Sequence, residues 1–595
     1  MCGIIACRTK TSAIDFLLPA LRRLEYRGYD SVGIAVRTTD GDVARLRTVE
    51  RIGRLEDQVH QWSAGQFSGT GLGHTRWATH GAVTETNAHP HIDCTGDVSL
   101  VHNGVIDNAA ELRSELTRAG HRFASSVDSE VLCHLIEDEL KTSHDLLDAV
   151  NGALKRVRGS WGLAVLERST GRIVVAANRS PLLVAQTRQG DFATSDIAAI
   201  ADWAKAFRAL EDGDVVELTP TQRWLRNGVP STGPSLIACP FRSADVELNG
   251  EEDFMSKEID EQPEAVSRLL DQFGGEIATG RLWSDLGLPP FARLHVVGCG
   301  TSLNAGHVIG NLVRRIGLVP VAFSVASEVT DEVPEPDVLT LAMSQSGETA
   351  DVLQAVESDG IAGSSLLAIT NNTHSTLSRR ADAVISCAAG PEIGVAATKT
   401  FVCQVVAGVA TLISALVALE RISPAVGIRL TEALRRLPDV LARSSTVAKA
   451  SVPALVGELR TASGFIFIAR GTGLPYAAEG ALKLKELTYR WAEHYPAGEL
   501  KHGPLALIDV DTPVVVVDNG DPKLTTNVAE IDARGGRVIS IGSTGATIPA
   551  VSFPQAPWGP IESVLPMQIL ARTLALSLGR DVDKPRNLAK SVTVE

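Results

Sequence analysis

The sequence predicts an α+β N-terminal part followed by two α/β domains that are built alike. Up to about residue 220, short β-type runs such as GLAVLE (162–167) and DVVEL (214–218) alternate with turn residues and a few helical stretches, which is typical of a layered α+β fold. Beyond about residue 285, each apolar run precedes a longer helical pattern, which indicates parallel strands joined by helices. The third observation is that this second pattern repeats.

The repeat consists of three pairs of segments at nearly the same offset. The first pair is LHVVGCGTSLNAG (294–306) with FIFIARGTGLPYAAEG (465–480). The other two pairs are VLTLAMSQSG (338–347) with PVVVVDNG (513–520), and SLLAITNN (365–372) with GRVISIGS (536–543). Two doubly wound domains that derive from one unit explain all three pairs.

Length, charge and cysteine content bound the class of protein. Since single cores stop growing at roughly 250–300 residues, a chain of 595 residues is expected to form several domains. A formal net charge of −14 argues against binding to nucleic acid or to an anionic membrane. Eight cysteines without a CxxC pair favour a reducing compartment, so we expect a cytoplasmic protein.

Two apolar stretches could represent a secretion signal or a membrane span. We expect no secretion signal, because charged residues interrupt the apolar stretch near the start. The uncharged run within 405–420 is shorter than the ~20 residues of a membrane span, and we interpret it as a buried helix.

A connector between domains is predicted where the pattern changes. The stretch from 221 to about 253 contains Pro230, Pro234 and Pro240 and ends in acidic residues, as a linker does. The predicted boundaries are 2–220 for the first domain, 221–252 for the linker, 253–424 and 425–580 for the two α/β domains, and 581–595 for a C-terminal tail.

Two glycine-rich turns follow strands of the first α/β domain. GCGTSLNAG (298–306) lacks the GxGxxG spacing of a dinucleotide site, so we expect no NAD and no other cofactor. SQSGET (344–349) offers uncharged donors at a predicted helix N-terminus, which suits a single phosphate. Ordinary helix capping is the alternative, and two such turns in one domain favour phosphate. The candidate donors are Ser344, Gln345, Ser346 and Thr349.

The last quarter of the chain is dense in ionisable residues. Lys483 and Glu486 are three residues apart and share a helix face, and His502 lies in a loop bounded by Gly and Pro. Lys590 lies in the C-terminal tail. A Schiff-base lysine, a carboxylate base and a ring-opening histidine are the groups that aldose–ketose chemistry needs, although a solvated charged face is the alternative.

The N-terminal part carries candidate groups for acyl transfer. Arg76 could clamp a carboxylate, and Asn103 with the amide of Gly104 could form an oxyanion hole. The nucleophile that they would serve is Cys2. His89 and His91 have no third ligand at usable spacing, so we assign no metal.

These segments together resemble the glutamine:fructose-6-phosphate amidotransferases, the isomerising glucosamine-6-phosphate synthases. The resemblance runs end to end through CGI (2–4), LRRLEYRGYDS, HTRWATHG, CGTS, SQSGETAD, EIGVAATK, EGALKLKE, GELKHGPLALID and DKPRNLAKSVTVE. Nine motifs in the right order over both halves are highly specific.

For the first half, the resemblance implies an N-terminal-nucleophile glutaminase with four αββα layers. Removal of Met1 exposes Cys2, whose thiolate attacks the glutamine amide while its own α-amine acts as base, with Asn103 and Gly104 stabilising the oxyanion. The glutamine-binding residues implied by the motifs are Arg76 for the α-carboxylate, Asp128 for the α-amino group, Thr79 and His80 in the pocket wall, and Trp77, which also matches the residue that gates an ammonia channel.

For the second half, the resemblance implies two flavodoxin-like sugar-isomerase domains acting on fructose 6-phosphate. His502 opens the sugar ring, Lys590 forms the imine, and Glu486 moves the proton between C1 and C2 with Lys483 nearby. The implied sugar-phosphate residues are Thr301, Ser302, Ser344, Gln345, Ser346, Thr349, Val395 and Ala397. The family also suggests a homodimer.

Three positions depart from the family pattern. Ala397 replaces a serine, Leu303 replaces a tyrosine, and Asp260 replaces a tyrosine in the connector motif. A paralogue acting on a related ketose phosphate is therefore one alternative. The others are a sugar-phosphate isomerase or deaminase that does not use glutamine, which the motif residues around Cys2 argue against, and a non-catalytic sugar-phosphate sensor, which needs a DNA-binding element that we do not find.

Overall fold

The chain folds into two units, Met1–Glu247 with Ala589–Glu595 and Leu248–Leu588, in this computed structural model. The structure describes residues 2–62, 66–78, 81–240, 242–543, 545–550 and 556–592. Each unit is described by itself.

The N-terminal unit contains fifteen strands and five α-helices in its described residues. The strands are β1 (Gly3–Thr9), β2 (Ser31–Thr38), β3 (Val43–Thr48), β4 (Phe67–Arg76), β5 (His91–Ile92), β6 (Val98–Ile106), β7 (Gly159–Glu167), β8 (Ile173–Asn178), β9 (Leu183–Gln186), β10 (Gly190–Thr194), β11 (Ala206–Ala209), β12 (Asp214–Glu217), β13 (Arg223–Arg226), β14 (Val229–Ser231) and β15 (Ile237–Ala238). The helices are α1 (Ile14–Leu24), α2 (Ile52–His60), α3 (Ala109–Arg118), α4 (Glu130–Ser143) and α5 (Leu146–Leu154).

Two sheets face each other in this unit. One has the order β15-β11-β9-β10-β1-β4-β2-β3 and the other β14-β13-β12-β8-β7-β6-β5. An apolar layer with Ile4, Leu72 and Val101 lies between them, while α1 and α2 cover the first sheet and α3–α5 the second. The predicted αββα layering is thereby confirmed, and β1 is central because it pairs with both β10 and β4.

The segment 221–252, which we predicted to be a linker, forms three short strands in its first part. β13 pairs with β12, β14 pairs with β13, and β15 pairs with β11, so this segment extends both sheets. Asn227 and Gly228 have φ of 50° and 78° and form the tight turn between β13 and β14. An Asn-Gly pair between short apolar runs is a hairpin signal that the prolines nearby obscured.

The C-terminal unit is built on two parallel sheets. Their strands are β16 (Arg293–Gly298), β17 (Val321–Val325), β18 (Val338–Met343), β19 (Ser365–Thr370), β20 (Ala383–Ser386), β21 (Gly464–Ala469), β22 (Trp491–Pro496), β23 (Pro513–Val517), β24 (Arg537–Gly542) and β25 (Ile548–Pro549). The orders are β17-β16-β18-β19-β20 and β22-β21-β23-β24-β25. Both are the 2-1-3-4-5 order of flavodoxin-like folds, so the predicted repeat of α/β domains is confirmed.

Helices surround both sheets. They are α6 (Phe254–Asp260), α7 (Gln262–Phe273), α8 (Glu276–Thr279), α9 (Arg281–Ser284), α10 (Gly300–Ile316), α11 (Ala350–Glu357), α12 (Thr376–Arg380), α13 (Lys399–Ala418), α14 (Pro424–Arg435), α15 (Leu437–Leu459), α16 (Leu474–Thr488), α17 (Lys523–Asp532) and α18 (Val564–Ser577). One apolar core includes residues of both sheets together with α10, α13, α16 and α18.

Helix α13 is the apolar segment that we interpreted as a buried helix. It is the one helix among the described residues long and apolar enough to cross a membrane, and 94% of its apolar window is buried within the unit. All of its residues from Lys399 to Val417 are buried, as expected of a core helix.

Candidate active sites

The first candidate site lies at the start of β1. The Cys2 Sγ accepts a hydrogen bond from the Trp77 amide at 3.3 Å and lies 3.5 Å from the Trp77 carbonyl oxygen. The Gly3 amide donates to Thr75 Oγ1 at 3.1 Å, which aligns the first residues of β1 with β4. Burial raises the pKa of the Cys2 thiol, and the Trp77 amide and the Arg76 guanidinium partly oppose this shift. The thiol therefore needs a base to become a nucleophile.

Asn103 on β6 reaches the same residue. Its Nδ2 donates to the Cys2 carbonyl oxygen at 2.8 Å, and its Oδ1 lies 3.0 Å from His74 Nε2. Burial lowers the pKa of His74 to about 3, so the ring is neutral and donates from Nε2. This bond orients the amide so that its nitrogen faces Cys2. One of the two Nδ2 hydrogens is engaged by Cys2, which leaves the other to bind an oxyanion.

Gly104 follows in the same strand with φ of +130°. A Cβ at this position would lie 2.1 Å from the Ser160 carbonyl oxygen, so the conformation and the space both require glycine. The strand thus places the Gly104 amide directly after Asn103. Sequence reasoning named Asn103 and Gly104 but assigned no role to His74, although the HTRWATHG motif contains it.

The end of β4 carries the candidate carboxylate clamp. Asp30 donates its amide to the Arg76 carbonyl oxygen at 2.9 Å and accepts the Ala78 amide on Oδ2 at 2.7 Å, which holds the segment 76–78 in place. A Cβ on Gly28 would lie 2.6 Å from Trp77 N, so only glycine permits this approach. Asp30 is a second residue that sequence reasoning quoted without assigning a role.

Arg76 and Asp128 are brought near each other. Burial lowers the pKa of the Arg76 guanidinium, while the charges of Asp30 and Asp128 act in the opposite direction. Asp128 Oδ2 accepts the Ile106 amide at 2.9 Å, which fixes the carboxylate beyond the end of β6. A cation and an anion in one region of the unit suit an amino acid's carboxylate and amino group. Thr79 and His80 lie outside the described residues.

The second candidate site includes the turn between β18 and α11. Ser344 Oγ lies 2.9 Å from Thr349 Oγ1 and accepts the Gly347 amide at 3.0 Å, and Ser346 Oγ accepts the Glu348 amide at 3.1 Å. The Gln345 carbonyl oxygen accepts bonds from the Thr370 hydroxyl and the Asn371 amide, which ties the turn to the end of β19.

Helix α16 carries a buried cluster of charges. Lys483 Nζ lies 2.6 Å from Glu486 Oε2 and 3.5 Å from Glu479 Oε1. The two carboxylates keep the pKa of Lys483 above its usual value despite burial. Burial raises the pKa of Glu479 to about 7, with Lys483 opposing the shift. Glu479 is a member of the cluster that sequence reasoning missed, although its i,i+4 spacing to Lys483 was a signal.

This cluster connects the two sheets of the C-terminal unit. The Thr301 hydroxyl donates to Glu479 Oε1 at 3.0 Å, and Gln404 Nε2 on α13 donates to Ser302 Oγ at 3.2 Å. The structure thus joins the start of α10 to α16, which sequence spacing could not show.

The segment 392–400 forms a loop around Val395 and Ala397. Glu392 Oε1 accepts the amides of Thr398 and Thr400 at 3.0 and 2.9 Å, and the Val395 amide donates to the Asp583 carbonyl oxygen. Val395 is buried and Ala397 is half-buried. The serine that the family pattern has at 397 would stand on an ordered loop, so its loss removes one hydroxyl without disturbing the loop.

The other two predicted catalytic residues, His502 and Lys590, lie in other segments of the chain. His502 is exposed at the end of the 3-10 segment Ala497–His502. Lys590 lies in Ala589–Glu595, which groups with the N-terminal unit rather than with the unit that carries Glu486. One cluster of candidate residues therefore assembles within each unit.

A layered αββα unit with Cys2 bonded to the amides of Trp77 and Asn103, followed by two flavodoxin-like domains, is the architecture of a glutamine amidotransferase joined to a phosphosugar-isomerase half. Family models agree: residues 74–202 match the glutamine amidotransferase domain, and residues 291–414 and 458–551 match the SIS domain.

Relatives match along the whole chain. It is 41% identical over 628 residues to the glutamine–fructose-6-phosphate aminotransferase (isomerizing) of Thermus thermophilus, and 39% identical over 624 residues to that of Pseudomonas putida, with 100% of each chain covered. The solved C-terminal domain of glucosamine-fructose-6-phosphate aminotransferase from Francisella tularensis covers 57% of this chain and 100% of that domain at 32% identity, with a TM-score of 0.51. This chain belongs to the glutamine–fructose-6-phosphate aminotransferase (isomerizing) family.

Proposed function

We propose that the two sites act in sequence, the first releasing ammonia from glutamine and the second adding it to fructose 6-phosphate. The reaction of this isomerising family converts fructose 6-phosphate and glutamine to glucosamine 6-phosphate and glutamate, and it is the activity of this chain. The residue roles below are our proposal.

In the glutaminase half, removal of Met1 leaves Cys2 with a free α-amine. This amine takes the thiol proton, and the sulfur attacks the side-chain carbonyl carbon of glutamine. Asn103 Nδ2 and the Gly104 amide stabilise the oxyanion that forms, and Arg76 and Asp128 hold the substrate's carboxylate and amino group. The proton passes to the leaving nitrogen, ammonia departs, and water then hydrolyses the thioester to glutamate. Trp77, Thr79 and His80 line the pocket in this proposal.

In the isomerase half, the hydroxyls of Ser344, Ser346 and Thr349 with the amides of their turn bind the phosphate. Thr301, Ser302, Gln345, Val395 and Ala397 surround the sugar in this proposal. His502 opens the ring, and Lys590 forms an imine with the C2 carbonyl and releases water. Ammonia then displaces the Lys590 amine from C2, and Glu486 moves a proton from C1 to C2, which gives the 2-amino aldose. Lys483 supports Glu486, since their side chains are 2.6 Å apart.

One observation carries the first half of this proposal: Cys2, the residue that acquires the free amine, accepts the Trp77 amide on its sulfur and the Asn103 amide on its carbonyl. A small apolar residue at a chain end needs neither contact. The glutamine-independent alternatives leave this arrangement without a purpose.

The test measures both products from glutamine and fructose 6-phosphate. Cys2→Ala is expected to abolish glutamate release and amino-sugar formation, while ketose–aldose isomerisation survives. Cys239→Ala, a second partly exposed cysteine of the same unit, is the matched control and keeps both activities. Glutamate release by Cys2→Ala equal to that of the wild type contradicts the assignment of the nucleophile.

Lys590→Ala tests the second half. It is expected to abolish glucosamine 6-phosphate formation and to leave glutamate release measurable, because the imine cannot form. Lys584→Ala, in the same C-terminal region, is the control. Amino-sugar synthesis by Lys590→Ala at the wild-type rate contradicts the Schiff-base role.

We further propose a cytoplasmic homodimer. The cytoplasmic location is supported by the free cysteines among the described residues. The dimer is supported by the segment that carries His502, where Trp491, Leu507 and Val510 are exposed by 79%, 59% and 71%. Large apolar side chains that are this exposed within one segment are typical of subunit interfaces. Light scattering is expected to give twice the chain mass of 63.1 kDa, and a monomer mass contradicts the proposal.

A further inference from the structure

Four side chains that take no part in the glutaminase site converge elsewhere in the N-terminal unit. They are Cys94 in the loop after β5, His121 after α3, and His134 and Glu137 on one turn of α4. The three residues from α4 and its preceding loop are buried, and Cys94 is exposed. These residues come from three separate stretches of sequence, so they do not form a short spacing motif that could be recognised in the sequence.

The distances between their donor atoms are those of a tetrahedral metal site. Cys94 Sγ lies 3.7 Å from His121 Nδ1 and 3.6 Å from His134 Nδ1. Glu137 Oε2 lies 3.1 and 3.3 Å from the same two nitrogens. Zinc bonds of about 2.0 Å to nitrogen or oxygen and about 2.3 Å to sulfur place tetrahedral ligand atoms roughly 3.3–3.6 Å apart.

The surroundings of these atoms also suit a metal. His121 Nε2 lies 3.0 Å from Asp138 Oδ1, and His134 Nε2 lies 3.9 Å from Glu130 Oε1. Each ring thus presents Nδ1 to the centre, and His121 also presents Nε2–H to a carboxylate at hydrogen-bond distance, the arrangement that orients metal-bound histidines. The Arg122 amide donates to Cys94 Sγ at 3.3 Å, which stabilises negative charge on sulfur.

We propose that Cys94, His121, His134 and Glu137 bind one zinc ion in a structural site. A thiolate with two imidazoles and one carboxylate matches the ligand preferences of Zn²⁺ and not those of Mg²⁺ or Ca²⁺, which prefer oxygen. Four protein ligands fill a tetrahedral shell, so no open position remains for catalysis. Binding displaces the Cys94 thiol proton to solvent. Our sequence analysis assigned no metal because it considered His89 and His91.

The zinc ion connects three segments of the N-terminal unit, one of which follows Asp128 directly in the sequence. It ties the loop of Cys94 and the residues after α3 to α4, and α4 begins two residues after Asp128. Its role is therefore to stabilise the fold around the position of Asp128, and the effect is a gain in stability that follows metal occupancy.

The test uses the full-length protein, dialysed against a chelator and then titrated with Zn²⁺. We expect one zinc per chain, a rise in melting temperature of several degrees, and, with Co²⁺ instead, the visible bands and thiolate charge-transfer band of tetrahedral cobalt. Cys94→Ala is expected to lose stoichiometric binding, the charge-transfer band and the rise in melting temperature. Since Cys94 is exposed, this variant leaves the core intact.

Two further variants distinguish this site from other thiols and from folding defects. Asp138→Asn keeps all four ligands and is expected to weaken zinc binding about 10–100-fold. Cys2→Ala, which removes the other thiol candidate, is expected to keep one zinc per chain. Absence of stoichiometric binding by the wild type, or equal binding by wild type and Cys94→Ala, overturns the proposal. Loss of binding in Cys2→Ala with retention in Cys94→Ala assigns the zinc to the active cysteine and overturns it as well.

Discussion

At the scale of single residues, the neutral His74 ring holds the Asn103 side chain in one orientation. Because burial holds its pKa near 3, it stays a hydrogen-bond donor to Asn103 at working pH. The orientation of the Asn103 amide is therefore fixed before substrate arrives, which is the preorganisation on which oxyanion stabilisation depends.

Asn103→Ala is expected to lower kcat for glutamine hydrolysis by about 10²–10³-fold with little change in KM, because an oxyanion donor acts mainly in the transition state. His74→Ala is expected to lower kcat less, since it acts through Asn103. Steady-state glutamate release measures both. If His74→Ala instead raises KM at unchanged kcat, the histidine positions substrate and not Asn103.

Glu479 is the residue whose charge changes near neutral pH. Its pKa is raised to about 7 by burial, so it is protonated below this pH and adds a second negative charge beside Lys483 above it. We expect the rate of ketose-phosphate isomerisation to change with an inflection near pH 7 that Glu479→Gln removes. Glutamine hydrolysis by the same variant is the control. An unchanged inflection in Glu479→Gln assigns it to another group.

At the scale of elements, the turn between β18 and α11 depends on Gly347. Its φ is +66°, and a Cβ would lie 2.0 Å from Ser375 Oγ. Gly347→Ala is therefore expected to displace the turn and raise KM for fructose 6-phosphate at least about tenfold, since a lost charge-binding contact costs about 1.4 kcal/mol or more. Gly363→Ala, at a positive φ with open space around it, is the control. An unaltered KM in Gly347→Ala contradicts the phosphate-binding role of the turn.

Strands β4 and β5 bring three histidines together in the N-terminal unit. Ring centroids of His74 and His89 are 4.2 Å apart, and those of His89 and His91 are 4.5 Å apart. Burial lowers the pKa of His74 and His91 to about 3 and that of His89 well below its usual value. All three are therefore neutral in the folded unit at neutral pH.

Because the pKa values of these three histidines are lowered by folding, the stability of the unit depends on pH. Between about pH 6.5 and 3, the unfolded chain binds protons that the folded unit excludes, so the free energy of unfolding falls as pH falls. Within this range, each such histidine lowers the free energy of unfolding by about 1.4 kcal/mol for each unit by which the pH falls. Urea unfolding of the wild type at several pH values is expected to show this slope, and His91→Gln is expected to reduce it. The same slope in His91→Gln contradicts the contribution of this residue, and exposed His60→Gln is the control.

At the scale of the whole molecule, the reaction needs both units, because ammonia made in one is consumed in the other. Ammonia released to neutral water becomes ammonium, whose nitrogen has no free electron pair for attack. We therefore expect a mixture of Cys2→Ala and Lys590→Ala proteins to form glutamate but much less glucosamine 6-phosphate than the wild type. The same mixture with high added ammonium salt at alkaline pH is the control. Full synthesis by the mixture under neutral conditions contradicts transfer within the enzyme.

Much of this architecture could be predicted because strand and turn signals lie in residues that are close together in the sequence. The alternation of short β-type runs with turn residues predicted the layered N-terminal part, and the repeat of the 294–306 segment predicted the second doubly wound domain. The linker at 221–252 was wrong where strands β13–β15 form. Pro and Gly mark hairpin turns as well as linkers, and only pairing with β12 and β11 distinguishes the two.

The sequence by itself determined which groups are candidates for the chemistry: a cysteine at position 2, a turn of uncharged donors that suits a phosphate, and a lysine and glutamate on one helix face. These features depend on residue type and on short spacings, and both can be read directly from the sequence. Only the tertiary structure decided that His74 orients Asn103, that burial raises the pKa of Glu479, and that Cys94 meets His121 and His134. The two sets of contacts join residues 27 to 40 positions apart in the sequence, and the pKa of Glu479 depends on its burial. Long-range contacts and burial both arise only when sheets and helices pack together.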